Sequence, residues 1–230
     1  MSGGPRLAEP PGLIVALDQP DLSRADALAA QLSDKVTAFK VGLTLFTAHG
    51  PRALTEIARH GRVFCDLKFY DIPSQVGSAA AELARWGVWM FTVHASGGAA
   101  MIEAAVEAAG KRRDGPTVAA VTVLTSTPAD GAGLGDSVLQ LATSAVSAGA
   151  GAVVCSPRES AALRAALGPN VKLVVPGVRR AVDDAGDQSR TASPSDAAKA
   201  GASYIVVGRP ITASGDPASA ASAILEELAS

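Results

Sequence analysis

The chain has 230 residues, 48% of them hydrophobic and 18% charged. That is enough apolar material for a core, so disorder of the whole chain is excluded, and the length admits one large α/β unit or two small domains. Lys+Arg 20 against Asp+Glu 22 leaves a net charge of −2, which supplies no general field for nucleic acid or an anionic membrane surface, although a local phosphate site is compatible with it.

In chain order, residues 1–11 are rich in Gly and Pro, lack the apolar centre of a signal peptide, and read as a flexible tail ahead of a domain over 12–230. Short β-branched runs at 13–17, 38–41, 63–67, 90–93, 117–124, 152–155, 171–175 and 204–207 read as strands. Ala-rich stretches at 21–32, 51–60, 74–86, 99–109, 136–148, 158–167, 195–200 and 217–228 read as the helices that follow each of them. Continuous apolar strands are those of a sheet buried on both faces, and strict alternation argues for parallel pairing. Eight such units predict a single-domain α/β fold, a closed (β/α)₈ TIM barrel; an open doubly wound sheet is the alternative, weakened by the lack of G-x-G-x-x-G after the first strand. No apolar stretch approaches the ~18 residues of a membrane span.

In such a barrel the chemistry sits at the C-terminal ends of the strands. Asp18 follows the first strand, Lys40 closes the second, Asp66 and Lys68 close the third with Asp71 just beyond, and His94 follows the fourth. Thr125 and Ser126, Ser156, Pro176 and Gly177, and Gly208 and Arg209 follow the remaining four. Asp66 and Lys68 are two apart, so regular strand alternation points them to one face, beside Lys40 from the neighbouring strand. Two carboxylates, Asp66 and Asp71, thus flank two ammonium groups, Lys40 and Lys68, and such alternation favours the ionised forms. A charged Lys is suited to stabilise a developing carbanion and then protonate it. A structural ion-pair network and a magnesium site on Asp18, Asp66 and Asp71 are the competing readings; the interleaved lysines disfavour the metal.

The loops after the last two strands commonly hold phosphate in these barrels. Gly208 and Arg209 fit that role, and Arg179 and Gln188 lie on a long polar loop, 177–191, able to close over the same anion. Cys65 and Cys155 fall in apolar runs, as small core residues of a protein from a reducing compartment. Trp86 and Trp89 are expected near a helix–strand junction. His49 and His60 are expected in solvent, and His94 either bonds across the barrel floor or acts in catalysis.

With these residues in place the sequence resembles orotidine 5′-phosphate decarboxylase, of the bacterial type. The resemblance is carried by D-L-K-F-Y-D-I-P from Asp66 to Pro73, V-H-A-S-G-G from Val93 to Gly98, A-G-D-Q from Ala185 to Gln188 and V-V-G-R-P-I from Val206 to Ile211. A-L-D ending at Asp18, K-V-G from Lys40 and V-L-T-S from Val123 match in order as well.

The resemblance implies a cytoplasmic carboxy-lyase that converts orotidine 5′-monophosphate to UMP and carbon dioxide in de novo pyrimidine synthesis, without cofactor or metal. It implies that Asp18 and Lys40 bind ribose hydroxyls, that Asp66 crowds the substrate carboxylate and positions Lys68, and that Lys68 protonates C6. Asp71 would act in trans across a homodimer, with Ile72, Gln75 and Pro176 also contacting substrate. Thr125 or Ser126 would read the pyrimidine, and Arg179, Gln188, Gly208 and Arg209 would hold the 5′-phosphate beneath a loop lid. Gln75 stands where many members have Thr; its amide can also donate and accept, so the resemblance still implies activity and leaves only the exact ribose contact open. A sister sugar-phosphate enzyme, magnesium-dependent decarboxylase or hexulose-phosphate synthase, and a non-enzymatic phosphate-binding barrel are the alternatives. The residues from Leu124 to Ser126 and the A-G-D-Q element favour the pyrimidine nucleotide.

Overall fold

The computed structural model describes residues 10–110, 115–124, 134–180 and 191–230. Its strands are β1 (Gly12–Ala16), β2 (Ala38–Gly42), β3 (Val63–Phe69), β4 (Met90–His94), β5 (Thr117–Val121), β6 (Ala152–Val154), β7 (Lys172–Pro176) and β8 (Tyr204–Val207). They form a closed parallel barrel in chain order, with β1 bonded to β2 on one side and β8 on the other. The barrel expectation is met, and the open sheet is not formed.

Around it run α1 (Leu22–Leu32), α2 (Leu43–His49), α3 (Pro51–Ile57), α4 (Pro73–Arg85), α5 (Ala99–Ala109), α6 (Leu134–Ser147), α7 (Pro157–Leu167), α8 (Pro194–Lys199), α9 (Arg209–Thr212) and α10 (Pro217–Leu228). Their starts follow local chemistry. Asp21 accepts from the N–H groups of Ser23 and Arg24 at the head of α1, Ser193 from Asp196 at α8, and Asp216 from Ser219 at α10. Proline occupies the first turn of α3, α4, α7, α8, α9 and α10, where its missing N–H costs nothing. No described helix is long and apolar enough to cross a membrane.

Strand alternation divides the core in two. Ile14, Ala16, Ala38, Phe64, Met90, Ala119, Ala152, Val174 and Val206 fill the barrel interior. Their neighbours Leu13, Val15, Phe39, Val41, Cys65 and Phe91 face outward into the layer beneath the helices. The floor is closed by Trp89, edge-on to Tyr204 with ring centroids 5.2 Å apart and with the Arg62 guanidinium 5.6 Å from its ring. One inward step above Ala38, Phe64 and Met90 stand Lys40, Asp66 and Thr92, so the interior changes from apolar to polar at that level.

Several local expectations are corrected. The segment 43–49 is a helix although Thr and Phe are indifferent helix formers; the burial of Leu45 supplies what propensity does not. The short α9 was likewise unforeseen. β5 stops at Val121 rather than residue 124, because its neighbour β4 ends opposite at His94. Thr122 turns both its N–H, at 3.3 Å, and its hydroxyl, at 3.1 Å, to the carbonyl of Val154. His94 closes β4 at the C-terminal mouth, edge-on to Tyr70 at 5.7 Å, and so cannot bond across the floor. His60 is not simply solvated: its Nε2 lies 2.7 Å from Asp26. His49 Nε2 is 2.7 Å from the Pro20 carbonyl. Cys65 and Cys155 are free, buried core residues, as expected. The tail expectation falls almost wholly on residues 1–9, outside the described residues.

Candidate active site

A cavity of about 590 Å³ opens at the C-terminal ends of the strands, a size usual for small-molecule sites. Its apolar walls include Phe64, Val121, Val154, Val174 and Val206. Asp18, Lys40, Asp66 and Lys68 line it from β1, β2 and β3, whereas Arg179 and Arg209 line it from the β7 and β8 ends. The cavity therefore combines an alternating acid–base cluster from the ends of β1, β2 and β3 with guanidinium groups from the ends of β7 and β8 and from α1.

The cluster is a continuous chain of opposite charges. Lys40 Nζ lies 2.7 Å from Asp18 Oδ1 and 3.5 Å from Asp66 Oδ2. Lys68 Nζ lies 2.9 Å from both carboxylate oxygens of Asp66. Asp66 and Lys40 are the deep members, with side chains 13% and 11% exposed, whereas Asp18 at 50% and Lys68 at 30% remain open to a ligand. Burial pushes the Asp66 carboxyl upward, but the ammonium groups of Lys40 and Lys68 and the hydrogen bonds from Lys68 and Thr92 outweigh it and hold the group below the ordinary carboxylate range. His94 is held below the ordinary imidazole value, first by burial and then by the Lys68 charge, against a smaller opposing pull from Asp66.

The same-face placement of Asp66 and Lys68 is met, by a different backbone from the one expected. Regular alternation fails between Cys65 and Phe69, where the register against Phe91 and Val93 shifts. Lys68 there takes φ 53°, and it is the one described non-glycine residue with positive φ. Its N–H donates to Thr92 Oγ1 at 2.8 Å.

The structure brings Asp18, Lys40, Asp66, Lys68, Pro176, Arg179, Gly208 and Arg209 to the cavity wall. Asp71, Ile72 and Gln75 are exposed and do not line it. The Asp71 carboxylate accepts from the Ile72 N–H at 2.7 Å. Within one chain the fourth charge of the array is accordingly Asp18, not Asp71. The weighed magnesium set of Asp18, Asp66 and Asp71 is not assembled in one chain either; Lys40 stands between the first two, and no group of three potential ligands occurs among the described residues. Thr125, Ser126 and Gln188 lie outside the described residues. The base of the 177–191 loop is pinned where Val178 bridges Ala192 and the Arg179 N–H donates to the Ala192 carbonyl at 3.1 Å.

Three contributors were missed from sequence. Arg24 lines the cavity from the first turn of α1, with no local signal to announce it. Thr92 shares the inward parity of Met90, which marks it in the sequence as facing the barrel interior. Gly42 leaves room for the deep ion pair: a Cβ there would fall 2.6 Å from Asp18 Oδ1 and 2.9 Å from Lys40 Nζ.

Comparison with known proteins adds an independent line. Residues 11–224 match the model of the orotidine 5′-phosphate decarboxylase / HUMPS family. Orotidine 5′-phosphate decarboxylase of Moorella thermoacetica is 48% identical over 230 aligned positions, covering 94% of this chain and 91% of the relative. That of Anaeromyxobacter sp. strain K is 51% identical over 224 positions, covering 94% and 97%. The crystal structure of orotidine 5′-phosphate decarboxylase from Lactobacillus acidophilus superposes with a TM-score of 0.83 at 34% identity, covering 96% of this chain and all of that one.

Proposed function

The chain belongs to the orotidine 5′-phosphate decarboxylase / HUMPS family, and from that membership we propose that it converts orotidine 5′-monophosphate to UMP and carbon dioxide as a step of pyrimidine biosynthesis. The observation that carries the reading is the ordered chain Asp18–Lys40–Asp66–Lys68 on the wall of a cavity that Arg179 and Arg209 also line, from the ends of β7 and β8. A phosphate drawn to the arginines leaves the base of the nucleotide to reach the Lys68 end.

In this reading the substrate carboxylate on C6 lies beside Asp66. The C6–carboxylate bond breaks, its electron pair stays on C6 and carbon dioxide departs. Repulsion from Asp66 falls as the carboxylate leaves, while attraction between the Lys68 ammonium and the growing carbanion rises. Only interactions that improve toward the transition state raise the rate, and both change in that sense. Lys68 then gives a proton to C6 and recovers one from solvent. The array acts as preorganised charge, without a cofactor to delocalise the electron pair. Asp18 and Lys40 bind ribose hydroxyls, and Arg179, Gln188, Gly208 and Arg209 bind the phosphate, with the 177–191 loop as its cover. Thr125 or Ser126 reads the pyrimidine edge, and Pro176 contacts the base.

Asp71, Ile72 and Gln75 complete the site of a second copy in a homodimer. Their exposure outside their own cavity, with Ile72 at 61% and the adjoining Tyr70 at 62% exposed, supports this assignment. The test is the loss of orotidine 5′-monophosphate absorbance with purified protein, with and without EDTA. Chelator-insensitive formation of UMP is expected. A folded protein that leaves the nucleotide unchanged, or one silenced by EDTA, would transfer the assignment to a sugar-phosphate enzyme of the same family.

A further inference from the structure

Thr92 is 1% exposed and sits inside the barrel on β4, one inward step above Met90. Its hydroxyl accepts the Lys68 N–H at 2.8 Å and donates to Asp66 Oδ1 at 3.0 Å. The direction of the second bond is fixed by elimination. A backbone N–H can only donate and an ionised carboxylate can only accept, so the single hydroxyl proton goes to Asp66. The same Asp66 oxygen receives the Lys68 ammonium at 2.9 Å. One hydroxyl thus closes a ring through the Lys68 backbone, Asp66 and the Lys68 side chain.

The ring encloses the most unusual backbone in the site. Lys68 holds φ 53° at the point where β3 and β4 lose register. A β-bulge interrupts the ladder and leaves backbone groups to find other partners; here the Lys68 N–H finds Thr92. A side chain with positive φ persists where its surroundings over-determine it. Without the hydroxyl, the Lys68 N–H loses its acceptor and one of the bonds that fixes the Asp66 rotamer is gone.

We infer that Thr92 is a positioning residue of this site: its hydroxyl holds Lys68 in the left-handed bulge and orients the Asp66 carboxylate, so that the ammonium group is presented into the cavity at a fixed place. The catalytic consequence rests on the proposed decarboxylation, but the geometric claim does not. Misplacing a reacting group by about 1 Å costs on the order of 10²-fold in rate, so the effect belongs in kcat rather than in substrate capture.

The test crosses two substitutions. Thr92→Val keeps the shape and removes the hydroxyl; Thr92→Ser keeps the hydroxyl and removes the methyl. A packing role predicts that Val is tolerated and Ser is not, and a positioning role predicts the reverse. The expected result is a fall in kcat of roughly 10- to 100-fold for Thr92→Val with KM little changed, and recovery of most of that loss in Thr92→Ser. Thr92→Ala should lose as much as Val, and stands in for it if Val does not fold. Wild-type kcat in Thr92→Val would overturn the inference. A crystal structure of Thr92→Val decides the geometric claim independently of any substrate. A Lys68 that leaves positive φ or an Asp66 that turns away supports it, and an unchanged β3 overturns it. Inactivity of the wild-type protein toward orotidine 5′-monophosphate would count against the proposed reaction, leaving that structural comparison intact.

Discussion

Gly42 faces Asp18 so closely that a methyl group on it would lie 2.6 Å from the carboxylate oxygen Oδ1. The last residue of β2 is therefore small because the Asp18–Lys40 pair occupies the space where its side chain would be. Gly42→Ala must push Asp18 or Lys40 aside, and no other route of relief is as short. A loss of roughly tenfold in kcat/KM, about 1.4 kcal/mol, is expected with little change in melting temperature. A variant with full activity would mean that the pair can shift without cost to the site.

Acidification should weaken the fold in two steps. His94 is held below its ordinary 6.5, so the unfolded chain binds its proton first; that contribution is complete above pH 6.5 and is lost as pH falls toward the folded value. Asp66 is held below 3.8, so its contribution is complete above pH 3.8 and is lost as pH falls through the lower folded value. Urea unfolding of wild type, His94→Gln and Asp66→Asn across this range separates the two. The gap between wild type and Asp66→Asn should narrow only below pH 3.8, and a gap that already closes near neutrality would contradict the assigned direction.

Burial pushes the Cys65 and Cys155 thiols up to about 12, with the Asp66 charge adding to the effect at Cys65. Thiolate is the reactive form, so neither should react with a thiol reagent in the native protein. Both should titrate after denaturation. Rapid native modification would show that the layer beneath the helices opens readily.

Arg164 ties the lower ends of three elements together. Its guanidinium donates to the carbonyls of Gly168, Val171 and Gly201 and to the Ser203 hydroxyl, at 2.6 to 3.1 Å. It lies at the opposite end of the barrel from the cavity. Arg164→Met should cost about 2–4 kcal/mol of stability, through several carbonyls losing a charged donor, and leave kcat unchanged. A large fall in kcat without destabilisation would place this residue in the reaction instead.

The shared-site proposal has its own complementation test. Lys68→Ala and Asp71→Ala should each be inactive alone. Mixed and allowed to exchange subunits, they should regain part of the wild-type activity, because one site of the hybrid dimer holds both intact residues. Hybrids shown by mass spectrometry to form, yet without activity, would refute contribution in trans.

The barrel was legible because its strands are buried on both faces and so read as uninterrupted apolar runs, each followed by an Ala-rich helix. Asp18, Lys40, Asp66 and Lys68 were legible because strand ends are where polar residues interrupt those runs. What was hidden depended on tertiary contacts. Helix α2 needs the burial of Leu45, and the bulge at Lys68 needs the hydroxyl of Thr92 on the next strand. The two-residue spacing of Asp66 and Lys68 thus gave the correct face, while regular alternation was not its cause. Asp71, five residues after Asp66, read as part of the same cluster; the chain turns outward after Phe69 and leaves it exposed.

In the proposed decarboxylation everything turns on the Lys68 ammonium, held by Asp66. The most direct measurement of its role is the rate of UMP formation from orotidine 5′-monophosphate by wild type and by Lys68→Ala at matched, folded concentrations. Rapid conversion by wild type and a loss of at least about 10²–10⁴-fold in the variant are predicted. Equal rates in the two proteins would contradict the account.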